Sequence, residues 1–461
     1  MSVREKVQHI ELKFETQKVS MKGLPVWLCI RGHFFSKLFE KNLRGVDYKT
    51  SNLISLFFAS FRGWNKWLKH YDYWIITGSN LRQNINGKYT NILFDYPASQ
   101  LDSSLFIELP LYKHHTKKET ASKNLASKGF LIILETIYSK LFLRKALLSN
   151  SQVLNELIKE YPVEISFNSL SKKMVAQYKI MKWVLKYKKP KAIFINTSYT
   201  NYGYIKAFKE SGIPVIELQH GTIGKDHFSY NLFGDYDDDF FPDYLLTFGN
   251  QEKNVFEKPN QWISNKNLIP VGSFIIENTI KYFTPDTSLK QKIKDFNFTF
   301  CVSLQETDRG NQLITELASI ASNHKNLLFI FIPRTKTENE LRGAYNLPEN
   351  IIFTPQLNVY EAILHSDFHI TIYSTCAIEA PSLGIRNILY NIDNKAYSYY
   401  KDTLSEETTH YVNNESEFMN VLANDNKPKK IEIQKANENV IAINYFENMN
   451  RFLTRLQNRE I

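Results

Sequence analysis

Residues 191–219 read KAIFINTSYTNYGYIKAFKESGIPVIELQ. Two β-branched and aromatic runs, Lys191 to Asn196 and Pro214 to Gln219, flank a polar loop (Thr197 to Asn201), a helix through Glu210 and a glycine stop at Gly212. Strand, helix and strand in so short a span predict a βαβ unit, hence a parallel sheet with a right-handed crossover. Upstream, Tyr73 to Thr77 is a strand signal, Asn86-Gly87 a turn, and Tyr89 to Phe94 a second strand ending at Asp95. A helical region follows, roughly Gly129 to Leu185, and downstream of the βαβ unit a strand Asp243 to Phe248 ends at Gly249. Val271 to Asn297, with Gly272, Pro285 and several lysines, reads as a connector. A second alternating series follows it. Its strands are Phe298 to Leu304, Leu327 to Ile332, Ile351 to Phe353, Phe368 to Tyr373 and Asn387 to Ile392. Its helices are Gly310 to Ser322, Val359 to His365 and Thr375 to Leu383, the last stopped by Gly384. The fold class is therefore α/β: two doubly wound, Rossmann-like domains facing a cleft. Residues 1–272 form the first with a helical insertion, 273–430 the second, and 431–461 a helix crossing back.

The chain has 461 residues, with 57 Lys and Arg against 47 Asp and Glu, a formal charge of +10. Three cysteines, Cys29, Cys301 and Cys376, without CxxC spacing exclude a disulfide scaffold and fit a reducing compartment. The N-terminus lacks the apolar core of a signal peptide. Leu53 to Phe61 is too short to span a bilayer, and Gly129 to Leu148 carries Glu135, Lys140, Arg144 and Lys145. This predicts a soluble cytoplasmic protein, at most peripheral at the inner face of the cytoplasmic membrane. Lysine runs at Lys117–Lys118, Lys186 to Lys191 and Lys427 to Lys430 suit phosphorylated small molecules or an anionic membrane, or are simply solvated. No zinc finger, RNA-recognition signature or basic heptad points to nucleic acid. Aromatics are heavy, with 32 Phe, 26 Tyr and 6 Trp.

Ligands of such sheets sit beyond the carboxyl ends of the strands, and two strand ends stand out. Ser374 and Thr375 open a helix, where hydroxyls and free N–H groups suit a phosphate, and Glu379 follows one turn on, placed to accept ribose hydroxyls. A plain N-cap with a solvent-facing glutamate is the other reading. Glu217 to Gly224 (ELQHGTIG) places His220 after a strand, between Gln219 and Gly221, where an imidazole can take a proton or meet a phosphate. A loop-holding histidine is the alternative there. Arg334, closing the Leu327 strand, offers a cation for a phosphate or is simply exposed. Gln305, after the Phe298 strand, is placed to approach a donor, and Asp95 is a rival base. Asp235 and Asp237 to Asp239 lack companion metal ligands and read as a solvated loop. No HExxH, Walker, GxSxG or GxGxxG motif is present.

From about Tyr71 to Asn424 the chain resembles GT-B-type bacterial glycosyltransferases of capsule and O-antigen synthesis, akin to capsule-synthesis, Kdo-, sialic-acid- and polyol-phosphate-transferring enzymes. ELQHG at 217–221, Val271-Gly272-Ser273 and NVYEAILHSDFHITIYSTCAIEAPSLGIRNILYNI at 358–392 carry the resemblance. It implies a nucleotide-sugar donor on the second domain and a glycan or lipid-linked acceptor and the base on the first. Ser374 and Thr375 would hold the donor phosphates, Glu379 the ribose or sugar, and His220 would serve as base or phosphate contact. It implies an inverting reaction without cofactor or metal. One departure is Pro333-Arg334, where many relatives, especially CMP-sugar users, have His-Pro. A nucleotide-sugar epimerase of the same fold, or a non-catalytic glycan-binding assembly protein, are the alternatives.

Overall fold

The computed structural model describes residues 2–39, 57–85, 87–111 and 119–460. Asn86 of the turn signal, Lys117–Lys118 and residues 53–56 of the first apolar stretch lie outside the described residues. The chain divides into two compact units. One comprises Met1–Thr247, Glu252–Ile269 and Met449–Ile461, the other Phe248–Gln251 and Pro270–Asn448.

The first unit is built on seven strands: β1 (Tyr73–Gly78), β2 (Ser104–Leu109), β3 (Leu125–Ser127), β4 (Ala192–Ile195), β5 (Val215–Leu218), β6 (Tyr244–Thr247) and β7 (Leu268–Pro270). They lie in the order β7-β6-β5-β4-β1-β2-β3, and the pairs from β6 to β3 are parallel. Residues 191–219 form the βαβ unit: the AIFI of β4 and the VIEL of β5 are buried throughout, as a parallel sheet covered on both faces requires. Gly212 takes the left-handed φ of +69° that ends the helix. Among the helices of this unit are α1 (Val3–Lys13), α2 (Trp27–Phe39), α3 (Gly129–Phe142) and α4 (Phe167–Leu185). The helical stretch at 129–185 is thus three helices, with Gln152–Glu160 between α3 and α4. Asn150, at φ +56°, and Pro162 break it.

α1 and α2 are tied together by a buried ion pair. Arg31 Nε donates to Glu11 Oε1 over 2.7 Å, and both side chains are essentially without solvent contact. The same guanidinium donates to the carbonyls of Phe228 and Asn231, and Glu11 Oε2 accepts from the Phe233 N–H. One pair therefore fixes the loop that follows β5.

The Tyr89 to Phe94 strand is a correction. Lys88–Asn91 pairs antiparallel with Arg82–Ile85 in a hairpin outside the main sheet, and Asp95 opens the short helix Asp95–Ser99. The β-prone run Tyr89 to Phe94 pairs only as far as Asn91, and residues 92–94 form the turn into the helix.

The second unit holds β8 (Phe298–Ser303), β9 (Leu327–Ile332), β10 (Ile351–Phe353), β11 (Phe368–Thr371), β12 (Arg386–Tyr390) and β13 (Thr409–Val412). All are parallel, in the order β10-β9-β8-β11-β12-β13. Phe300, Phe329, Phe368 and Phe418 stack through its core. The supposed connector at 271–297 folds as two helices, Phe274–Tyr282 and Thr287–Ile293, the latter N-capped by Asp286. The C-terminal stretch is two helices, Lys430–Ala436 and Tyr445–Gln457. Between them the chain packs on glycines: a Cβ at Gly249 would lie 2.2 Å from the Asn439 carbonyl, and one at Gly272, where φ is +90°, 2.3 Å from that of Ala442. The glycine at 249 is therefore required by backbone packing. From Met449 onward the last helix belongs to the first unit, where the Phe452 ring meets Tyr244 and Asn450 accepts from the Tyr96 hydroxyl.

Candidate functional site

In the second unit, consecutive strands run outward in both directions from the β8/β11 boundary. This is a topological switch point, where an open parallel sheet leaves a crevice beyond its strand ends. The residues there are sequence candidates. Gln305 follows β8, and Tyr373, Ser374 and Thr375 follow β11; Gln305 Oε1 accepts from the Tyr373 N–H at 3.3 Å. Thr375 is exposed and opens α5 (Cys376–Glu379), which continues as a 3-10 turn to Leu383. The Ser374 carbonyl accepts from the Tyr400 hydroxyl, fixing the turn. Arg334 follows β9, the next strand over; it is exposed and has no ion-pair or hydrogen-bond partner among the described residues. Glu306 accepts from the backbone N–H groups of Thr335 and Lys336, tying the β8 and β9 loops together. Glu379 is half-buried and accepts from the Tyr360 hydroxyl at 3.1 Å; burial raises its carboxyl pKa, against the pull of that bond.

Beneath this crevice lies a polar string that sequence reading missed. His369 of β11, fully buried, shares hydrogen bonds of 2.8 Å with Ser303 and with Asn387, which donates onward to the Ala377 carbonyl of α5. Burial brings the imidazole down to about 4, so it is neutral at pH 7 and serves as a bridge. A histidine inside an otherwise apolar strand was the available signal.

In the first unit the switch point lies between β1 and β4, and His220 follows β5, one strand away. Its Nε2 lies 3.4 Å from the Tyr199 hydroxyl, which comes from the loop after β4. Burial lowers the imidazole pKa below its ordinary 6.5, opposed by the Asn196 carbonyl, so the ring is a neutral base at physiological pH. His227 packs against Tyr199 and Tyr230, and burial brings it to about 4. A Cβ at Gly221 or Gly224 would meet nothing within 4 Å, and neither has a positive φ, so the protein's own packing does not demand glycine there. Gln219 is structural: buried, it donates to Glu252 Oε1 and to the Gly221 carbonyl. A cavity of about 370 Å³ opens beside this cluster, lined among others by Cys29, His33, Lys173, Tyr199, Thr200 and His227. Among the described residues, no carboxylate lines it.

Glu217, inside β5, was quoted with its motif but given no role. It is fully buried and accepts from the Ser198 N–H and the Tyr230 hydroxyl, while its Oε2 has no partner. Burial pushes its carboxyl up to about 7. A glutamate whose folded pKa is raised stabilises below its unfolded value of about 4.5, and that stability is lost as pH rises through 7. Glu217→Gln, whose amide oxygen still accepts both bonds, is expected to raise the unfolding free energy by roughly 3 kcal/mol at pH 8 and by little at pH 5. Thermal unfolding across that range checks it, and a gain independent of pH would contradict it.

Asp95 sits at a different corner. Its carboxylate accepts from the Asn91 N–H at 2.7 Å and from the Ser122 hydroxyl, with Arg82 at 3.5 Å, and Arg82 also pairs with Glu108 at the end of β2. Those bonds occupy both oxygens in a structural network, and β4 and β1 separate β2 from β5. Asp237 and Asp239, read as solvated, bind Lys206. Among the described residues, no group of three or more His, Cys, Asp or Glu is placed to hold a metal ion.

No protein-family model and no curated protein sequence matches the chain. Solved structures do. The structure of Staphylococcus aureus MnaA with UDP superposes with a TM-score of 0.51 at 10% identity, covering 84% of this chain and 96% of that one. The kitacinnamycin glycosyltransferase gives 0.50 at 9% identity, covering 84% and 99%. The chain has the GT-B fold. A UDP-GlcNAc 2-epimerase from Neisseria meningitidis bound to UDP-GlcNAc scores 0.49 at 12% identity, covering 84% and 99%. At such identities the likeness carries the fold alone. Each Rossmann-like unit of this GT-B chain has its own switch point, with Gln305, Ser374 and Thr375 at one and His220 a strand from the other.

Proposed function

We propose that the chain is a glycosyltransferase that moves a sugar from a nucleotide-sugar donor to a hydroxyl of a glycan or glycolipid acceptor, in bacterial surface-polysaccharide synthesis of the capsule or O-antigen kind. The observation that carries the reading is His220, an imidazole kept neutral by burial at a strand end and followed by Gly221 and Gly224, glycines that packing does not require. Such a ring is suited to take the proton of an acceptor hydroxyl as the new glycosidic bond forms. The carboxylate-free cavity beside Tyr199 and His227 is the place for the acceptor. In the second unit, Ser374, Thr375 and the unpaired Arg334 take the donor phosphates, with Gln305 and Glu379 toward the ribose or sugar. Arg334 and the hydroxyls then meet the charge that develops on the departing diphosphate or phosphate, without calling on a cofactor. A base acting opposite the leaving group inverts the anomeric carbon.

Thermal unfolding with UDP-, GDP-, CDP- and CMP-sugars is the test, since a ligand of the folded state raises Tm by mass action. One donor class is expected to stabilise the wild type and to do so less in Arg334→Ala. Incubation with that donor alone separates the readings: isomerised sugar in the absence of acceptor would replace transfer with epimerisation. Stabilisation by glycans alone, with no nucleotide sugar bound, would leave a non-catalytic binding protein.

A further inference from the structure

The positive charge of this chain is concentrated in three segments of the first unit. Residues 57–69, 129–151 and 167–191 hold fourteen of the 57 Lys and Arg but a single one of the 47 Asp and Glu, so elsewhere 43 cations face 46 carboxylates. The single carboxylate, Glu135, is buried and accepts from the Tyr204 hydroxyl. The segments form one surface. α3 packs on α4, Phe61 meets Phe130 with ring centroids 6.5 Å apart, Lys188 donates to the Leu68 carbonyl, and Lys172 to that of Arg144. Two of the lysines are paired at its border, Lys182 with Glu210 and Lys191 with Asp72.

The same surface exposes large apolar side chains. Phe58, Leu68, Leu141, Phe142 and Leu147 are each between 66% and 75% exposed, and Trp64, Trp183 and Tyr187 stand among them. Scattered exposed apolar residues are ordinary, but this many interleaved with unopposed cations are not. We propose that this face docks on an anionic lipid bilayer, with the aliphatic and aromatic side chains entering the interface and Lys140, Arg144, Lys145, Lys186 and Lys189 meeting the headgroups. A second copy of the chain is disfavoured, because two such faces repel. Nucleic acid would use the cations and rings but has no use for Leu68, Leu141 and Leu147, which offer no face for base stacking. Among the described residues no helix is long and apolar enough to cross a membrane, so the attachment is to a surface. The inference is independent of the donor and base assignments.

Flotation of the full chain with vesicles tests it. Binding is expected to vesicles of phosphatidylcholine and phosphatidylglycerol in equal parts, not to phosphatidylcholine alone, and to weaken with added salt. Lys140→Glu with Arg144→Glu and Lys145→Glu should lower partition roughly hundred-fold, each cation being worth about a five-fold change. Leu141→Glu with Phe142→Glu should lower it about ten-fold or more at unchanged Tm. Leu147→Glu, on the loop beyond α3, repeats that test without altering the helix. No binding to the anionic vesicles at low salt, or binding that survives both apolar substitutions, overturns the proposal. So does a single-stranded RNA that binds as tightly and displaces the vesicles.

Discussion

His220→Ala is expected to lower kcat for transfer by about a hundred- to ten-thousand-fold, the range a positioned general base supplies, while leaving the donor-induced rise in Tm intact. Both halves follow from placement. His220 sits in the first unit, beyond β5, and the residues assigned to the donor sit beyond β8, β9 and β11 of the second. Its Nε2 lies 3.4 Å from the Tyr199 hydroxyl and its ring also meets the Asn196 carbonyl, while the stabilising pairs of the loop run through Arg31 and Glu11. Removing the ring therefore takes away the proton acceptor without opening the fold. The pH profile is a second readout. Burial depresses the imidazole, so the acid limb of kcat/KM in the wild type should be centred below the ordinary histidine value of 6.5. In the alanine variant that limb should vanish. Near-normal transfer by His220→Ala, or a limb unmoved by the substitution, would transfer the role of base to another group.

Glu11→Ala should cost about 3–5 kcal/mol, the usual penalty for stranding one member of a buried ion pair. The Arg31 guanidinium would keep the carbonyls of Phe228 and Asn231 but lose its carboxylate partner, while Trp27 Nε1 and the Phe233 N–H would lose their acceptor. Against a total stability of typically 5–15 kcal/mol, this is severe. Urea unfolding measures it. Glu11→Gln, which keeps an acceptor without the charge, should fall between wild type and alanine. Glu11→Leu combined with Arg31→Met should recover only the part of the loss that comes from the stranded charge, because Trp27 Nε1, the Phe233 N–H and the carbonyls of Phe228 and Asn231 stay without these partners. A loss below about 1 kcal/mol for alanine would mean that water reaches the guanidinium.

The parallel-sheet class was legible because buried strands announce themselves. Leu327–Ile332 and Ile351–Phe353 match their apolar runs to the residue, and residues 191–219 fold as the βαβ unit their composition describes. β2 and β13 were not seen: the apolar run of β2 is three residues long and stops at Glu108, and β13 reads THYV. The strand before Asp95 was misplaced because a short β-prone run such as Tyr89 to Phe94 does not say whether it pairs in a hairpin or in the main sheet. Switch points are a property of strand order, which no local window contains. The same holds for contacts such as Tyr199 with His220, made by loops of two neighbouring strands. The isolated polar residues in β5 and β11, Glu217 and His369, were visible as anomalies, but only their buried partners show what they do.

The first unit closes on residues from the far end of the chain: Met449, Phe452 and Leu453 are buried within it, and Phe452 lies against Tyr244. A ribosome delivers those residues only after the whole of the second unit. The first unit to emerge during synthesis is thus the last to be completed, and until then the surface that receives Phe452 stays open to chaperones and proteases. Vectorial synthesis makes the C-terminal helix the clasp whose arrival ends that exposure.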